Sequence, residues 1–180
     1  MDLRVKRTIK NINNAFFELR KKKKLDKISV RELSELAMIN KATFYLHYRD
    51  IYELSDTLEE ELIRKIISQV KPIKLLNTKE NFRHFAQDLT LAILSNEEDI
   101  NILFSDYENN IFINRFETSL KKYIFSAYPN IRNNIANNIL ISFVVHGSFN
   151  AYIHNENIDK TTLLNSTVDL TLKLVGEYTF

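Results

Sequence analysis

Between Lys41 and Tyr48 the sequence reads Lys-Ala-Thr-Phe-Tyr-Leu-His-Tyr. Lys41, Thr43, Tyr45 and His47 place four hydrogen-bonding side chains close together, with Phe44 and Tyr48 one helical turn apart among them. An ammonium, a hydroxyl, a phenol and an imidazole suit phosphate oxygens and base edges, so the chemistry on offer is non-covalent. A helix that merely packs needs only an apolar stripe, and a solvated helix rarely carries so many aromatics. The segment reads as a surface made to touch something.

Catalytic chemistry finds little to work with. The four histidines, His47, His84, His146 and His154, show no metal-ligand spacing, and no acidic residue partners His146 and His154 in helical register. There is no cysteine, no phosphate-binding glycine loop and no nucleophile elbow. Neither an enzyme nor a cofactor is expected.

These residues need elements to hold them, and the composition points to helices. The 180 residues include only two glycines and two prolines, and 44% are hydrophobic. Val5, Ile9, Ile12, Phe16 and Leu19 predict a first amphipathic helix that ends at the Lys21–Lys24 run, where cations suit a helix C-terminus. Ser29 and Glu32 form a capping-box pattern at the start of a short helix with Val30, Leu33, Leu36 and Ala37 inward. Asn40 then caps a second short helix, from Lys41 to about His47, and the pair makes a helix-turn-helix candidate. Asp50 caps a long connector over about 51–71 that Pro72 ends, and Thr78 opens the next helix.

Further amphipathic segments follow, and Tyr128-Pro129-Asn130 breaks one of them. From Ile131 to about Ile153 apolar residues occur on nearly every side, and Asp159 caps a final helix. A helix apolar all round must be covered all round, so a second copy of the chain is expected there, a fully buried central helix being the alternative. The dimerisation set is Ile139, Phe143, Gly147, Leu164, Val168 and Leu172. The longest apolar run, Ile139–Val145, is too short to span a bilayer, and a charged N-terminus argues against a signal peptide. A cytoplasmic chain is expected.

Charge is split along the chain. Residues 1–50 carry thirteen Lys/Arg against six Asp/Glu, whereas residues 51–180 carry twelve against seventeen. A basic segment joined to an acidic remainder suits a polyanion partner for the first part. The plainer reading is that the lysine run is a solvated helix end.

The stretch SVRELSELAMINKATFYLHYRDIYEL resembles the tetracycline-repressor-like (TetR/AcrR) family of bacterial regulators, and most closely a subgroup of low-GC Gram-positive bacteria. The resemblance covers about residues 5–58 and implies an all-α homodimer of about nine helices. It implies a helix-turn-helix domain over 1–50 and a helical regulatory and dimerisation domain over 51–180. It implies DNA contacts at Lys41, Thr43, Tyr45 and His47; the expected DNA-contacting set is Ser29, Arg31, Asn40, Lys41, Ala42, Thr43, Tyr45, His47 and Arg49, with Phe44 and Tyr48 turned into the core. It also implies a small-molecule effector in the C-terminal helices, for which Phe85, Phe104, Tyr107, Phe116, Tyr123 and His146 are lining candidates or plain core residues. Gly147 reads as a close helix approach or a pocket wall.

Two residues depart from the family pattern. Met38 stands where glycine usually makes the turn, so the turn is expected to form without positive φ, and Ile51 stands where a lysine commonly touches phosphate. The expected function is a transcriptional repressor on a palindromic double-stranded DNA operator, with no membrane partner. The alternative is a protein-interaction module on the same fold, its DNA binding lost or auxiliary.

Overall fold

The computed structural model describes residues 3–71, 79–104, 110–155 and 157–175, and every regular element among them is helical. Nine α-helices appear among the described residues: α1 (Leu3–Arg20), α2 (Val30–Leu36), α3 (Lys41–Tyr45), α4 (Ile51–Ser68), α5 (Lys79–Leu94), α6 (Glu97–Phe104), α7 (Asn110–Ala127), α8 (Ile135–Ile153) and α9 (Lys160–Val175). Pro72, Thr78 and Tyr107 lie outside the described residues. Pro129 opens a one-turn 3-10 helix directly after α7, where its missing N–H costs nothing.

The chain divides into two compact units, residues 1–62 with 98–109, and residues 63–97 with 110–180. The division falls within α4, and the first unit also takes in most of α6. Ile51, Leu54 and Leu58 are buried, so the first turns of α4 belong to the hydrophobic core of the first unit.

In that unit α1 buries Ile12, Ala15, Phe16 and Leu19 along one stripe, as the spacing requires. Its last residue, Arg20, is also buried and donates to the carbonyls of Lys23 at 2.9 Å and Leu103 at 3.4 Å. The lysine run is exposed, yet not merely solvated: Lys21 meets Glu98 at 3.3 Å and Lys23 meets Glu32 at 2.5 Å. Half of the capping box is therefore built. Ser29 accepts from the Glu32 amide at 3.2 Å, while the Glu32 carboxylate turns to Lys23. Leu33 and Ala37 point inward four residues apart, and Leu36 falls off that stripe and is exposed.

The turn between α2 and α3 differs from expectation in an informative way. Met38 does adopt positive φ, 56°, so the glycine-like geometry is kept and a side chain is forced to bear it. It can do so because the side chain projects into solvent, 91% exposed.

In the second unit α5 packs on α9, α7 on α8, and α8 on α9. Phe85, Phe112, Phe116, Leu120, Leu140 and Val168 are buried there. Phe112 sits 5.7 Å from both Phe116 and Phe149, ring centre to ring centre. Asn134 starts α8 by accepting from the Ala136 and Asn137 amides, and Asp159 starts α9 by accepting from the Thr162 amide at 2.9 Å.

Candidate nucleic-acid interface and C-terminal cavity

α3 has two faces with opposite character. Phe44 is fully buried and Tyr48 nearly so, their ring centres 5.8 Å apart, and together they anchor the segment. Burial pushes the Tyr48 phenol above its ordinary pKa, with Glu61 and Glu53 adding to it. On the other face Lys41, Ala42 and Tyr45 are exposed, while Thr43 and His47 are half-buried. The helix is shorter than its sequence pattern: α3 ends at Tyr45, and His47 sits in a tightened turn whose amide reaches the Phe44 carbonyl at 2.9 Å.

Asn40 organises the start of this helix. Its Oδ1 accepts from the Thr43 amide at 2.7 Å and from the Thr43 hydroxyl at 2.8 Å. The Thr43 proton is thus taken, leaving its oxygen as an acceptor and its methyl as an apolar contact. Asp50 does the same work for α4, accepting from the Glu53 amide at 2.8 Å. That amide bond is the main cause holding the Asp50 carboxyl below its ordinary value, with Arg49 contributing.

The flanking arginines are exposed and already paired. Arg31 Nε donates to Glu35 at 2.9 Å, one turn along α2, and this bond raises its already high pKa. Arg49 Nε donates to Asp50 at 3.3 Å. Ile51 is buried, so this position serves the core and reaches no phosphate. Three apolar side chains around α3 are exposed: Leu36, which the spacing placed inward, Met38 in the turn, and Leu46, of which the sequence reading said nothing because periodicity marks inward positions and says little of outward ones.

The second unit holds a partly open cavity of about 150 Å³ between α5, α7, α8 and α9. Phe85 and Phe116 are among its lining residues, as are Leu140, Ile141, Phe149 and Val168, which sequence reading either placed elsewhere or left unassigned. Three expected lining residues lie elsewhere. Phe104 is buried in the first unit. Tyr123 donates to the Lys71 carbonyl at 3.4 Å, and His146 pairs with Glu117 at 2.8 Å. All three sit at helical positions that suit an inward face, but each is on a side of its helix that meets another neighbour.

Glu117 is the centre of a polar cluster between α7 and α8. It takes bonds from Lys121 at 2.6 Å, Ser142 at 2.6 Å and His146 at 2.8 Å. Burial pushes its carboxyl up, but these three bonds outweigh it and hold the pKa down at about 2.

The six residues expected at a dimer contact separate into two groups. Ile139 and Phe143 are each 62% exposed, and Gly147 on the same side of α8 has no atom within 4 Å of where a Cβ would stand. So Gly147 is neither a pocket wall nor a close approach within the subunit. Val168 and Leu172 are buried and Leu164 lines the cavity, so these three face inward. The i, i+4 stripe of α9 serves the core of the unit, and its outward apolar residues are Leu170 and Leu174.

Among the described residues no three His, Cys, Asp or Glu side chains gather as for a metal ion, and no helix is long and apolar enough to cross a membrane. The described residues build an all-helical fold with two short helices near its N-terminus and a cavity among its C-terminal helices. A TetR-like transcriptional regulator from Rhodococcus sp. RHA1 matches it with a TM-score of 0.57 over 94% of each chain, at 12% sequence identity. No family model and no curated protein matches the sequence. The likeness shows a shared fold.

Proposed function

We propose that the chain is a DNA-binding transcriptional regulator that acts as a homodimer on a two-fold symmetric operator. The observation that carries this reading is the division of α3, with Phe44 and Tyr48 buried and Lys41, Ala42 and Tyr45 left outside. A helix held this way fits the major groove. Small Ala42 permits close approach, Thr43 offers an acceptor and a methyl to base edges, and Lys41, Tyr45 and His47 donate to phosphates. Ser29, Arg31 and Arg49 add phosphate contacts, the arginines by exchanging Glu35 and Asp50 for DNA. Asn40 holds Thr43 in place and keeps its amide N–H groups for the backbone.

The dimer forms through the exposed side of α8, where Ile135, Ile139, Phe143 and Gly147 follow one another four residues apart, and Leu170 and Leu174 of α9 are exposed as well. Occupation of a promoter by such a dimer represses by occlusion. The cavity of the second unit takes a small-molecule effector, and its coupling to DNA is reciprocal. The bacterial subgroup and a cytoplasmic location rest on the recognition segment and the composition.

Selection of duplexes from a random library by the purified chain, at near-physiological salt, tests the reading. A two-fold symmetric enriched site is the expected result. No enrichment by a folded dimer would favour the second reading, a protein-interaction module, for which the exposed apolar Leu36, Met38 and Leu46 would supply the contact.

A further inference from the structure

We infer that the C-terminal cavity takes a neutral, mostly apolar molecule of about the size of a substituted benzene, and that Glu97 and Lys160 at its edge turn anionic ligands away. The inference rests on the reading of that cavity as an effector site.

Size comes first. A dry apolar cavity of about 150 Å³ in another protein holds benzene, and the cavity here is about 150 Å³. The wall comes next. Among its described lining residues Lys160 alone carries a full charge, and Tyr152 is the one other ionisable group.

The polar atoms of the wall are mostly spent already. Thr90 donates to the Ala86 carbonyl at 2.8 Å, and Thr171 to the Thr167 carbonyl at 2.8 Å. Tyr152 donates to one oxygen of Glu97 and Lys160 to the other. Those bonds, from Lys160 first and Tyr152 second, hold the Glu97 carboxyl below its ordinary value, so it is ionised at neutral pH. Among the described residues only the Ser148 and Thr167 hydroxyls on the wall remain without a partner. They suffice for one neutral hydroxyl or carbonyl, and they do not compensate a desolvated carboxylate. A ligand anion that turned to Lys160 would meet Glu97 beside it, and the ion pair as a whole is neutral.

Benzyl alcohol and benzoate, matched in carbon count, test the inference on the full-length chain at pH 7.5 by titration and thermal shift. Benzyl alcohol is expected to bind saturably, with benzoate at least tenfold weaker. Glu97→Gln frees Lys160 and is expected to narrow that gap by at least fivefold, with folding checked by circular dichroism. Val144→Phe, which fills the cavity, should abolish binding of both. Equal or tighter benzoate binding to the unmodified chain overturns the class. Absence of any benzyl alcohol binding overturns the size, and binding that survives Val144→Phe overturns the place. If benzyl alcohol binds as described but leaves the affinity for the selected duplex unchanged, the effector reading fails and the ligand class stands.

Discussion

Asn40 Oδ1 receives both the amide and the hydroxyl of Thr43, at 2.7 and 2.8 Å, so one side chain caps α3 and sets the rotamer of the residue that the proposed function places against a base. The two tasks can be separated by substitution. Asn40→Ala removes the cap and is expected to cost about 1 kcal/mol of stability. Asn40→Asp keeps a carboxylate oxygen in the capping position, so urea midpoints should stay near those of the unmodified chain. Under the proposed function its negative charge would face the phosphates, however, and operator affinity should fall by tenfold or more. Retained affinity in Asn40→Asp would mean that α3 does not approach DNA by its N-terminus.

The outer face of α3 makes a second prediction. Lys41 and Tyr45 are exposed and carry no core residue on that face, so Lys41→Ala and Tyr45→Phe should leave stability within about 0.5 kcal/mol. Lys41→Ala should also reduce the slope of log affinity against log salt by about 1 for the phosphate that the ammonium no longer neutralises. A fluorescence-anisotropy series over salt concentration reads both quantities. Unchanged slope and affinity in both variants would remove them from the interface.

Met38 carries the third. Its φ of 56° lies in the left-handed region that glycine adopts without a Cβ penalty, and its side chain makes no use of burial. Met38→Gly relieves that strain but frees the unfolded chain, so a net gain of about 0.5–1 kcal/mol is expected. A loss of stability on calorimetric melting would show that the Met38 side chain supports the turn.

Met38 also illustrates what the sequence made legible and what it did not. Caps at Ser29, Asn40, Asp50 and Asp159 are local chemistry, decided within three residues, and all four are built. The inward stripe of α1 and the buried pair Phe44 and Tyr48 follow from period alone. A turn's φ does not, because the fold imposed a glycine-like conformation on a residue that disfavours it. Likewise the spacing of Leu164, Val168 and Leu172 says that they share a face, and not which neighbour that face meets. The Glu117 cluster joins residues from 117 to 146, a pairing that no periodicity encodes.

That cluster gives a pH dependence with a defined sign. The Glu117 carboxyl is held at about 2 in the folded chain against an ordinary 4.5. Its bonds therefore stabilise the fold above about 4.5, and the contribution is lost as pH falls toward about 2. Glu117→Gln should cost about 1–2 kcal/mol at pH 7, allowing for partial solvent screening. The difference between the two chains in urea midpoint should shrink on going to pH 3. A difference that stays constant between pH 7 and pH 3 would place the stabilising role in the shape of the side chain and not in its charge.

The exposed side of α8 carries the last prediction, because two apolar residues, one outward and one inward, should fail in different ways. Phe143 is 62% exposed in the single subunit and Val168 is 2% exposed. A charge at Phe143 costs the lone subunit little, but in a dimer built on this face it must be desolvated against its own symmetry copy. Phe143→Glu is therefore expected to give a folded monomer by analytical ultracentrifugation, with operator affinity reduced by at least a hundredfold because one subunit can grip only one half-site. Val168→Glu buries an uncompensated carboxylate in the core of the unit, so that variant should melt far earlier or fail to fold. Gly147→Leu adds bulk where the subunit itself leaves open space, and its effect should follow Phe143→Glu rather than Val168→Glu. If Phe143→Glu and Gly147→Leu both remain dimeric at micromolar concentration, the interface between copies lies on another face.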